Sequence, residues 1–320
     1  MSTDRAGVVT ETRLPGLELV HRGKVRDVWR VDDEHLLLVA TDRISAFDRI
    51  LAAPIPGKGA VLTQLSAFWF RTLGQAPGGA PGGPFATHFV SERATDMPPA
   101  AAAAARALGG RATLVRRARV VPVECVARGY LAGSVALAYR RDGAIQGEAL
   151  PPGIPLGGPL PAPIFTPTTK APVGHDLPLT RAELEALVGA DLARALRETT
   201  LAVFAAATAR CRGAGLLLCD TKLELGHLPD GRLVVVDELL TPDSSRFFDA
   251  ASHVPGAQPV PWDKQLVRDH LKTLPREVLE GPEAPGLPPD VVAETARRYE
   301  AVYERLAGRP LAEAVAEAVA

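Results

Sequence analysis

Two strand-like segments of this chain pass from apolar to charged residues, and the first constrains the fold most. Leu216–Gly226 (LLLCDTKLELG) begins as an apolar run and then sets Asp220, Lys222 and Glu224 at every second position. Alternate side chains of a strand share one face, so two carboxylates and an ammonium would point the same way. Burying these charges beside apolar strands is costly unless they meet partners. The segment therefore predicts a strand with a polar site on one face.

The second segment, Leu233–Phe248 (LVVVDELLTPDSSRFF), repeats this arrangement. Its apolar run Val234–Val236 leads directly into Asp237 and Glu238. A magnesium ion and phosphates are natural partners for acids beside a lysine. A surface hairpin with solvated charges is the alternative interpretation, because any half-exposed strand shows such alternation.

The pairing register of these two segments decides whether their acids can act together. A symmetric pairing about the turn His227–Gly231 would place Asp237 opposite Thr221 instead of Glu224. Joint metal binding by Glu224 and Asp237 would then require a bulge or a register shift.

Composition excludes several classes of protein. The 320 residues are 47% hydrophobic, which suits one large or two smaller globular domains. The net charge of −1 gives no general attraction to nucleic acid or to an anionic membrane. Three scattered cysteines favour a reducing compartment over a disulfide framework or a zinc site. We find no secretory signal and no apolar run of membrane-spanning length, so we expect a soluble cytoplasmic protein.

Local patterns predict a sheet-rich first part and a mixed second part. We expect a tail at residues 1–12, loops at 75–84 and 151–163, and strands at Leu17–Val31, Leu36–Thr41 and Ala112–Ala127. Helices are expected at 63–73, Ala100–Leu108 and Lys264–Lys272, and two more within 289–319. A longer helical region should begin at an N-cap formed by Thr180 with Glu183 and continue, with a break, to about Arg212. The predicted fold is α+β or α/β. A smaller lobe of residues 1–121 would lie beside a larger α/β lobe of residues 122–320.

Three segments of the N-terminal part combine basic or polar residues with turns. HRGKVRD places Lys24 and Arg26 after Gly23, which suits polyphosphate binding, although a solvated basic edge strand has the same pattern. TDRISAFD carries Ser45 and Asp48 after an apolar strand, where capping and turn formation are the alternative. IPGKG holds a lysine at position 58 between glycines, without the spacing of a P-loop.

Further polar segments lie in the C-terminal part. ECVARGYLAGS places Arg128 and Ser134 after a strand, where the arginine could bind a carboxylate or phosphate or stand exposed at a turn. FTPTTKAPVGHD is an irregular segment with many hydroxyl groups that favours a functional loop. TPDSSR and WDKQLVR add polar groups suited to an anionic substrate. These last three segments contribute Lys170, His175, Asp176, Asp243, Ser245, Arg246 and Lys264.

Taken in order, these segments resemble the SAICAR synthetase family of purine biosynthesis. The resemblance runs from GKVRD to WDKQLVRD over roughly residues 20–272 and rests on nine ordered pieces. It implies a small antiparallel-sheet lobe and a larger ATP-grasp-like lobe, with ATP bound between them. It also implies condensation of the carboxylated aminoimidazole ribonucleotide CAIR with L-aspartate at the expense of ATP, with Mg²⁺.

The resemblance assigns roles residue by residue. Glu224 and Asp237 match the family's magnesium ligands, and Lys222 would bridge nucleotide and substrate. ATP would contact Lys24, Arg26, Val28, Val120, Lys222, Glu224 and Asp237. Lys170, His175 and Asp176 match a catalytic loop near the reacting carboxylate and aspartate. Arg128, Ser134, Asp220, Asp243 and Arg246 match positions around CAIR. The other expected substrate-binding residues are Ser45, Asp48, Lys58, Ser245 and Lys264.

Two other functions fit part of the pattern. A small-molecule kinase would keep the acids and lysines but would not need the FTPTTKA and GHD segments. A catalytically silent nucleotide-binding regulator would not need the acids and lysines to be intact. The partners implied are small molecules, with no nucleic acid or membrane, and the sequence carries no signal for an oligomeric state.

Overall fold

The computed structural model of the protein describes residues 2–4, 7–74, 83, 85–170, 176–257 and 260–320. The strands within these ranges are β1 (Ser2–Asp4), β2 (Val8–Glu11), β3 (Glu18–Arg22), β4 (Arg26–Arg30), β5 (His35–Ala40), β6 (Ser45–Ala46), β7 (Arg49–Ile50), β8 (Phe89–Ser91), β9 (Ala112–Arg116), β10 (Arg119–Tyr130), β11 (Ala144–Ile145), β12 (Glu148–Ala149), β13 (Pro159–Phe165), β14 (Thr168–Thr169), β15 (Leu216–His227), β16 (Leu233–Val236) and β17 (Ser245–Asp249).

The helices in the same ranges are α1 (Lys58–Leu73), α2 (Pro99–Ala107), α3 (Ser134–Asp142), α4 (Arg181–Val188), α5 (Ala190–Gly213), α6 (Gln265–Leu271), α7 (Arg276–Glu280), α8 (Pro289–Ala307) and α9 (Leu311–Val319). No helix of the described residues is long and apolar enough to cross a membrane.

The smaller sheet has the strand order β3-β4-β5-β9-β8 in the described part of the chain, and its named pairs are antiparallel. Trp29, Leu37, Val39 and Leu114 form a core with the alanine-rich helix α2. The buried face of α2 consists of alanines, whose small side chains let a helix approach a sheet closely.

The larger sheet follows the order β13-β10-β15-β16, and β14 and β17 pair with β10 and β15 respectively. Helix α5 packs on it through Val203 and Phe204, which lie in one core with Leu218 and Leu223 of β15. The predicted two-lobe α+β fold is confirmed.

We retain the division into lobes 1–121 and 122–320 as a proposal. The chain passes from the smaller to the larger sheet between β9 and β10, at residues 117–118. Helix α1, by contrast, buries Leu65 and Trp69 in the same core as Tyr299 and Val302 of α8. The helix therefore joins the first part of the sequence to the large core.

The predicted N-terminal tail at residues 1–12 was wrong, because its described residues include the strands β1 and β2. Strand β2 pairs with β1, and Val8 and Val9 are buried. The backbone nitrogen of Val9 donates to Asp42 Oδ2 at 2.8 Å. Asp42 is fully buried and needs donors, and a strand from the N-terminus supplies one.

Four other predicted segments had incorrect boundaries. Leu17–Val31 is split into β3 and β4 by a turn in which Gly23 N donates to Arg26 O at 2.8 Å. Ala112–Ala127 is interrupted between β9 and β10, where the chain changes sheets. The predicted loop at 151–163 contains the start of β13, and α1 begins before the predicted residue 63. The predicted loop at 75–84 lies outside the described residues except for Gly83.

The predicted start of the long helical region is confirmed in detail. Thr180 N donates to Glu183 Oε2 at 2.8 Å, and Glu183 N donates to Thr180 Oγ1 at 3.3 Å, which together form a capping box. The expected break falls at Gly189, whose φ of 86° lies in the region that favours glycine.

Candidate active site

A cleft of about 850 Å³ is lined by strands of both sheets. At one end its wall is apolar, with Val28 and Leu38 from the smaller sheet and Val120 and Val236 from the larger one. At the other end the lining is dominated by charged residues. This division suits a ligand with a flat apolar part and an anionic part.

The charged wall is built by the register of β10 and β15. Glu124 pairs with Glu224, Val126 with Lys222 and Arg128 with Asp220. Because alternate residues of a strand share a face, both rows of side chains point into the cleft, and all six residues line it. The predicted one-sided polar strand is therefore present, and its neighbour extends it.

Lys222 lies among carboxylates. Its Nζ atom forms an ion pair with Glu124 and lies 3.8 Å from Glu224 Oε1. Burial alone would lower the pKa of Lys222, but Glu124 and Glu224 raise it above its usual value. For Glu124, burial outweighs the effect of Lys222 and raises the pKa. The lysine therefore stays charged, and Lys170 adds a second ion pair to Glu224.

The pairing of β15 with β16 brings the second acid to the same place. His227 pairs with Leu233 and Glu224 with Val236, so Asp237 follows directly after the residue opposite Glu224. The symmetric register, with Asp237 opposite Thr221, is wrong. The hairpin turn closes instead through Leu228 N, which donates to Arg232 O at 3.0 Å and moves the pairing by two residues.

Asp237 has a left-handed backbone, with φ of 65°. Its carboxylate forms an ion pair with Arg26, and Arg26 Nη2 lies 3.2 Å from Glu238 Oε2. Burial works against ionisation of Asp237, but Arg26, Lys222 and Lys170 hold its pKa below the usual value. Asp237 is therefore ionised, and it shares the cationic neighbours Lys170 and Lys222 with Glu224.

The donor chemistry of this end fits Mg²⁺. Glu224 and Asp237 offer carboxylate oxygens, and a cation held by one or two carboxylates normally takes its other ligands from substrate phosphates and water. In the described part of the chain, no cluster of three or more histidine, cysteine, aspartate or glutamate residues could hold a metal.

Two arginines share one carboxylate at the other end of the row. Arg128 Nη1 lies 3.1 Å and Arg246 Nη1 lies 3.0 Å from Asp220 Oδ2. The strands β10 and β17 bring the two arginines to Asp220 from opposite sides, since both pair with β15 at this residue. Arg128 Nε also donates to Thr166 Oγ1 at 2.9 Å. The two guanidinium groups therefore form a fixed cationic clamp.

Below this clamp lies a buried charge cluster around Asp243. Lys58 Nζ is 2.7 Å and Lys264 Nζ is 3.4 Å from the carboxylate, and Tyr299 donates its hydroxyl to Oδ1 at 2.8 Å. Burial opposes ionisation of Asp243, but Lys264 and Lys58 lower its pKa far below the usual value. Nearby, burial raises the pKa of Asp263 to about 6.

The cleft brings together most of the predicted site residues. Its lining includes Lys24, Arg26, Val28, Ser45, Asp48, Val120, Arg128, Lys170, Asp176, Asp220, Lys222, Glu224, Asp237, Asp243, Ser245, Arg246 and Lys264. Lys58 lies behind Asp243 and is fully buried. Ser134 is the first residue of α3, and only its backbone is described. His175 lies outside the described residues.

Sequence reasoning missed Glu124, His88 and Tyr299. Glu124 could have been found, because it stands two and four residues before Val126 and Arg128 on the same strand face. His88 lines the cleft beside Asp237, and burial lowers its pKa to about 4. Nothing in the sequence around His88 or Tyr299 marks them, because their partners are distant in the chain.

The family model described as SAICAR synthetase matches residues 19–285. The chain belongs to the SAICAR synthetase family. The match contains both sheets of the cleft, from β4 to β17, and agrees with the resemblance inferred from the motifs. Members of this family are ligases of purine biosynthesis. A cleft with one apolar end and one charged end suits such substrates.

Individual members of the SAICAR synthetase family resemble this chain over nearly its whole length. The phosphoribosylaminoimidazole-succinocarboxamide synthase of Halorhodospira halophila is 48% identical over 295 residues, which cover 91% of this chain and 95% of that protein. The SAICAR synthase of Saccharomyces cerevisiae, solved in complex with SAICAR, is 36% identical with a TM-score of 0.76, covering 94% and 99% of the two chains. A type-2 SAICAR synthetase solved with ADP is 23% identical with a TM-score of 0.65, covering 91% and 98%, and shares the fold.

Proposed function

We propose that this protein is the ATP-dependent ligase that condenses CAIR with L-aspartate to give SAICAR, ADP and phosphate in de novo purine biosynthesis. The observation that carries this proposal is the row of Glu224, Lys222 and Asp220 on β15. This row joins an acidic end suited to a metal–nucleotide complex to an arginine clamp suited to a phosphorylated substrate. Membership of the SAICAR synthetase family supports the same reaction.

ATP would lie across the two sheets. The apolar end of the cleft, with Val28 and Val120, would take the adenine ring. Lys24, Arg26 and Lys222 would bind the phosphates, exchanging their present carboxylate partners for phosphate oxygens. A type-2 SAICAR synthetase that shares this fold was solved in complex with ADP, which supports nucleotide binding as part of the proposal.

Glu224 and Asp237 would hold Mg²⁺, which when bound offsets the negative charge that develops on the transferred phosphoryl group. Lys170 and Lys222 already lie next to Glu224. The two lysines would add positive charge where the carboxylate of CAIR meets the γ-phosphate.

CAIR would bind at the clamp of Arg128 and Arg246, whose paired guanidinium groups recognise a phosphate or carboxylate. Asp220 fixes both arginines before the ligand arrives, so their side chains lose little conformational freedom on binding. We assign the remaining contacts to Ser45, Asp48, Lys58, Ser134, Asp243, Ser245 and Lys264. The yeast family member solved with SAICAR supports a product-binding site of this kind.

The proposed chemistry has two transfers. A carboxylate oxygen of CAIR attacks the γ-phosphorus of ATP, the bond to ADP breaks, and an acyl phosphate forms. The amine of L-aspartate then attacks the acyl carbon, phosphate leaves, and the nitrogen gives up its proton as the amide forms. We place aspartate near Lys170 and Asp176, which line the cleft together with Glu124, and we assign His175 to the same group. Exclusion of water by closure over the cleft would protect the acyl phosphate.

Isotope transfer tests the order of these steps. CAIR labelled with ¹⁸O in its carboxylate should pass one labelled oxygen to phosphate while SAICAR forms. Phosphate without the label, in a reaction that still yields SAICAR, would contradict the acyl phosphate. Formation of ADP and a phosphorylated CAIR without any SAICAR would instead support a small-molecule kinase.

We also propose that the protein works in the cytoplasm on small-molecule substrates. Its three cysteines, Cys125, Cys211 and Cys219, are buried and free, which suits a reducing compartment.

A further inference from the structure

An exposed aromatic ring stands in the wall of the cleft. Among the lining residues that the structure describes, Phe47 is the only phenylalanine, tyrosine or tryptophan. It lies at the tip of the hairpin formed by β6 and β7, and it is 50% exposed. Half of its apolar surface therefore gains nothing from burial in the protein alone. A ligand in the cleft would find this surface free to be covered.

The backbone at the hairpin tip does not favour a phenylalanine. The φ angle is 50° at Phe47 and 60° at Asp48. A two-residue turn with positive φ at both positions is usually made by asparagine or aspartate followed by glycine. A bulky residue in this region is uncommon and costs folding free energy, and residues of this kind are concentrated at functional sites. Formation of the turn therefore does not account for Phe47.

The base of the hairpin is buried, which fixes the position of its tip. Ile44, Ala46 and Leu51 lie in one apolar cluster with Val267 and Leu271 of α6. The hairpin is closed at this end by Leu51 N, which donates to Ile44 O at 2.9 Å. The hairpin is therefore packed on α6.

The hairpin connects two groups of cations that line the cleft. Lys264 directly precedes α6 and Arg268 lies within it, and both line the cleft. At the tip, Lys24 Nζ lies 2.6 Å from Asp48 Oδ1. Lys24 belongs to the turn proposed to bind the phosphates of ATP, whereas Lys264 belongs to the buried charge cluster below the arginine clamp. Phe47 thus presents an apolar ring where the proposed ATP and CAIR sites meet.

We propose that Phe47 is a specificity-determining residue whose ring packs against the imidazole ring of CAIR. This inference rests on the proposed function and adds a contact for the flat part of CAIR, because the surrounding cations suit only its phosphate and carboxylate. Two aromatic rings attract each other in offset-stacked or edge-to-face arrangements. The adenine ring of ATP has its own apolar wall, which Val28 and Val120 form at the other end of the cleft.

Calorimetric titration of the purified protein with CAIR, in the presence of ADP and Mg²⁺, tests the inference without turnover. Phe47→Ala should raise the Kd for CAIR about 10-fold, and Phe47→Tyr, which keeps the ring, should bind CAIR nearly as the wild type does. Ile50→Ala is the matched control, because Ile50 is a 40% exposed residue of the same hairpin outside the described lining of the cleft. This control should leave the Kd unchanged. A folded Phe47→Ala variant with the wild-type Kd would overturn the proposal.

Ribose 5-phosphate separates the ring contact from the phosphate site, because it carries the ribose and phosphate of CAIR without the imidazole. In competition with CAIR, its Kd should be the same for the wild type and for Phe47→Ala. An equal loss of affinity for both ligands would overturn the proposed contact with the ring.

The Phe47→Gly variant separates the ring contact from a purely structural role. Glycine adopts positive φ without steric cost, so this variant should keep or raise the urea midpoint while it weakens CAIR binding as Phe47→Ala does. Loss of CAIR affinity only in variants with a lowered urea midpoint would contradict the proposal. Wild-type protein that binds no CAIR would refute the proposed function itself, and the inference would fall with it.

Discussion

Lys58 and Asp243, the first residue of α1 and a residue of the turn before β17, form an ion pair in the interior of the protein. The Nζ and Oδ2 atoms are 2.7 Å apart, and the lysine side chain is fully buried. The pair fastens the start of α1 to the floor of the cleft, where Lys264 and Tyr299 also reach Asp243. Removing one partner of such a buried ion pair destabilises a protein more than removing both, because the remaining charge is left buried without a counter-ion.

We predict that Asp243→Ala destabilises the protein by about 3–5 kcal/mol, because Lys58 is left buried without its main counter-ion. The double variant Lys58→Met with Asp243→Ala should recover part of this loss. Urea unfolding at neutral pH measures both effects. Equal destabilisation by the single and the double variant would show that the ion pair is not the cause.

Glu224→Gln should abolish most turnover while leaving the fold intact. The change keeps the side-chain size but removes a carboxylate that both Lys170 and Lys222 contact. Loss of a metal ligand costs several kcal/mol of transition-state stabilisation, so kcat should fall by about 100-fold or more. Steady-state ADP release measures kcat, and circular dichroism checks the fold. Near-normal activity would remove Glu224 from the metal site.

Asp220→Asn should weaken CAIR binding more than it slows the chemical step. An asparagine oxygen can still accept from one arginine, but it no longer offers a full charge to Arg128 and Arg246 together. A charge-assisted hydrogen bond contributes about 1.5–3 kcal/mol, so we expect KM for CAIR to rise about 10- to 100-fold. Asp249→Asn is the matched control at the far end of β17, and it should leave KM unchanged. A fall in kcat with constant KM would contradict the clamp.

Glu294 on α8 should make part of the stability dependent on acid pH. Its hydrogen bond with Arg297, followed by that with Arg298, lowers its pKa to about 2. A lowered pKa in the folded state gives stability that is present above the unfolded pKa of about 4.3 and is lost as the pH falls toward 2. The stability gap between wild type and Glu294→Gln should therefore shrink from pH 6 to pH 3 in urea unfolding.

The control for this prediction is Glu304→Gln, an exposed glutamate on the same helix. It should change stability little at either pH. A gap for Glu294→Gln that stays constant between pH 6 and pH 3 would show that its ion pairs with the two arginines contribute nothing measurable.

Local patterns predicted the parts of the site that lie within one strand. The alternation of Asp220, Lys222 and Glu224 sufficed, because the period of a strand fixes which side chains share a face. The capping box at Thr180 could also be predicted from local sequence, since all its atoms belong to four consecutive residues.

Contacts between distant parts of the chain could not be predicted in this way. Arg26 reaches Asp237 across 211 residues, and Tyr299 reaches Asp243 across 56. The N-terminal strand β2 was missed because one of its partners is a buried carboxylate, Asp42, which lies 33 residues from Val9 in the chain. The position of Asp237 relative to Glu224 depends on which residues close the hairpin turn between β15 and β16, and the sequence of the turn allows more than one choice.

The most direct test of the ligase assignment is the dependence of ADP release on each substrate, measured together with the amount of SAICAR formed. The purified protein should release ADP rapidly only when ATP, Mg²⁺, CAIR and L-aspartate are all present, with one SAICAR per ADP. Rapid and stoichiometric ADP release with CAIR alone, unchanged by L-aspartate and without SAICAR, would contradict the account.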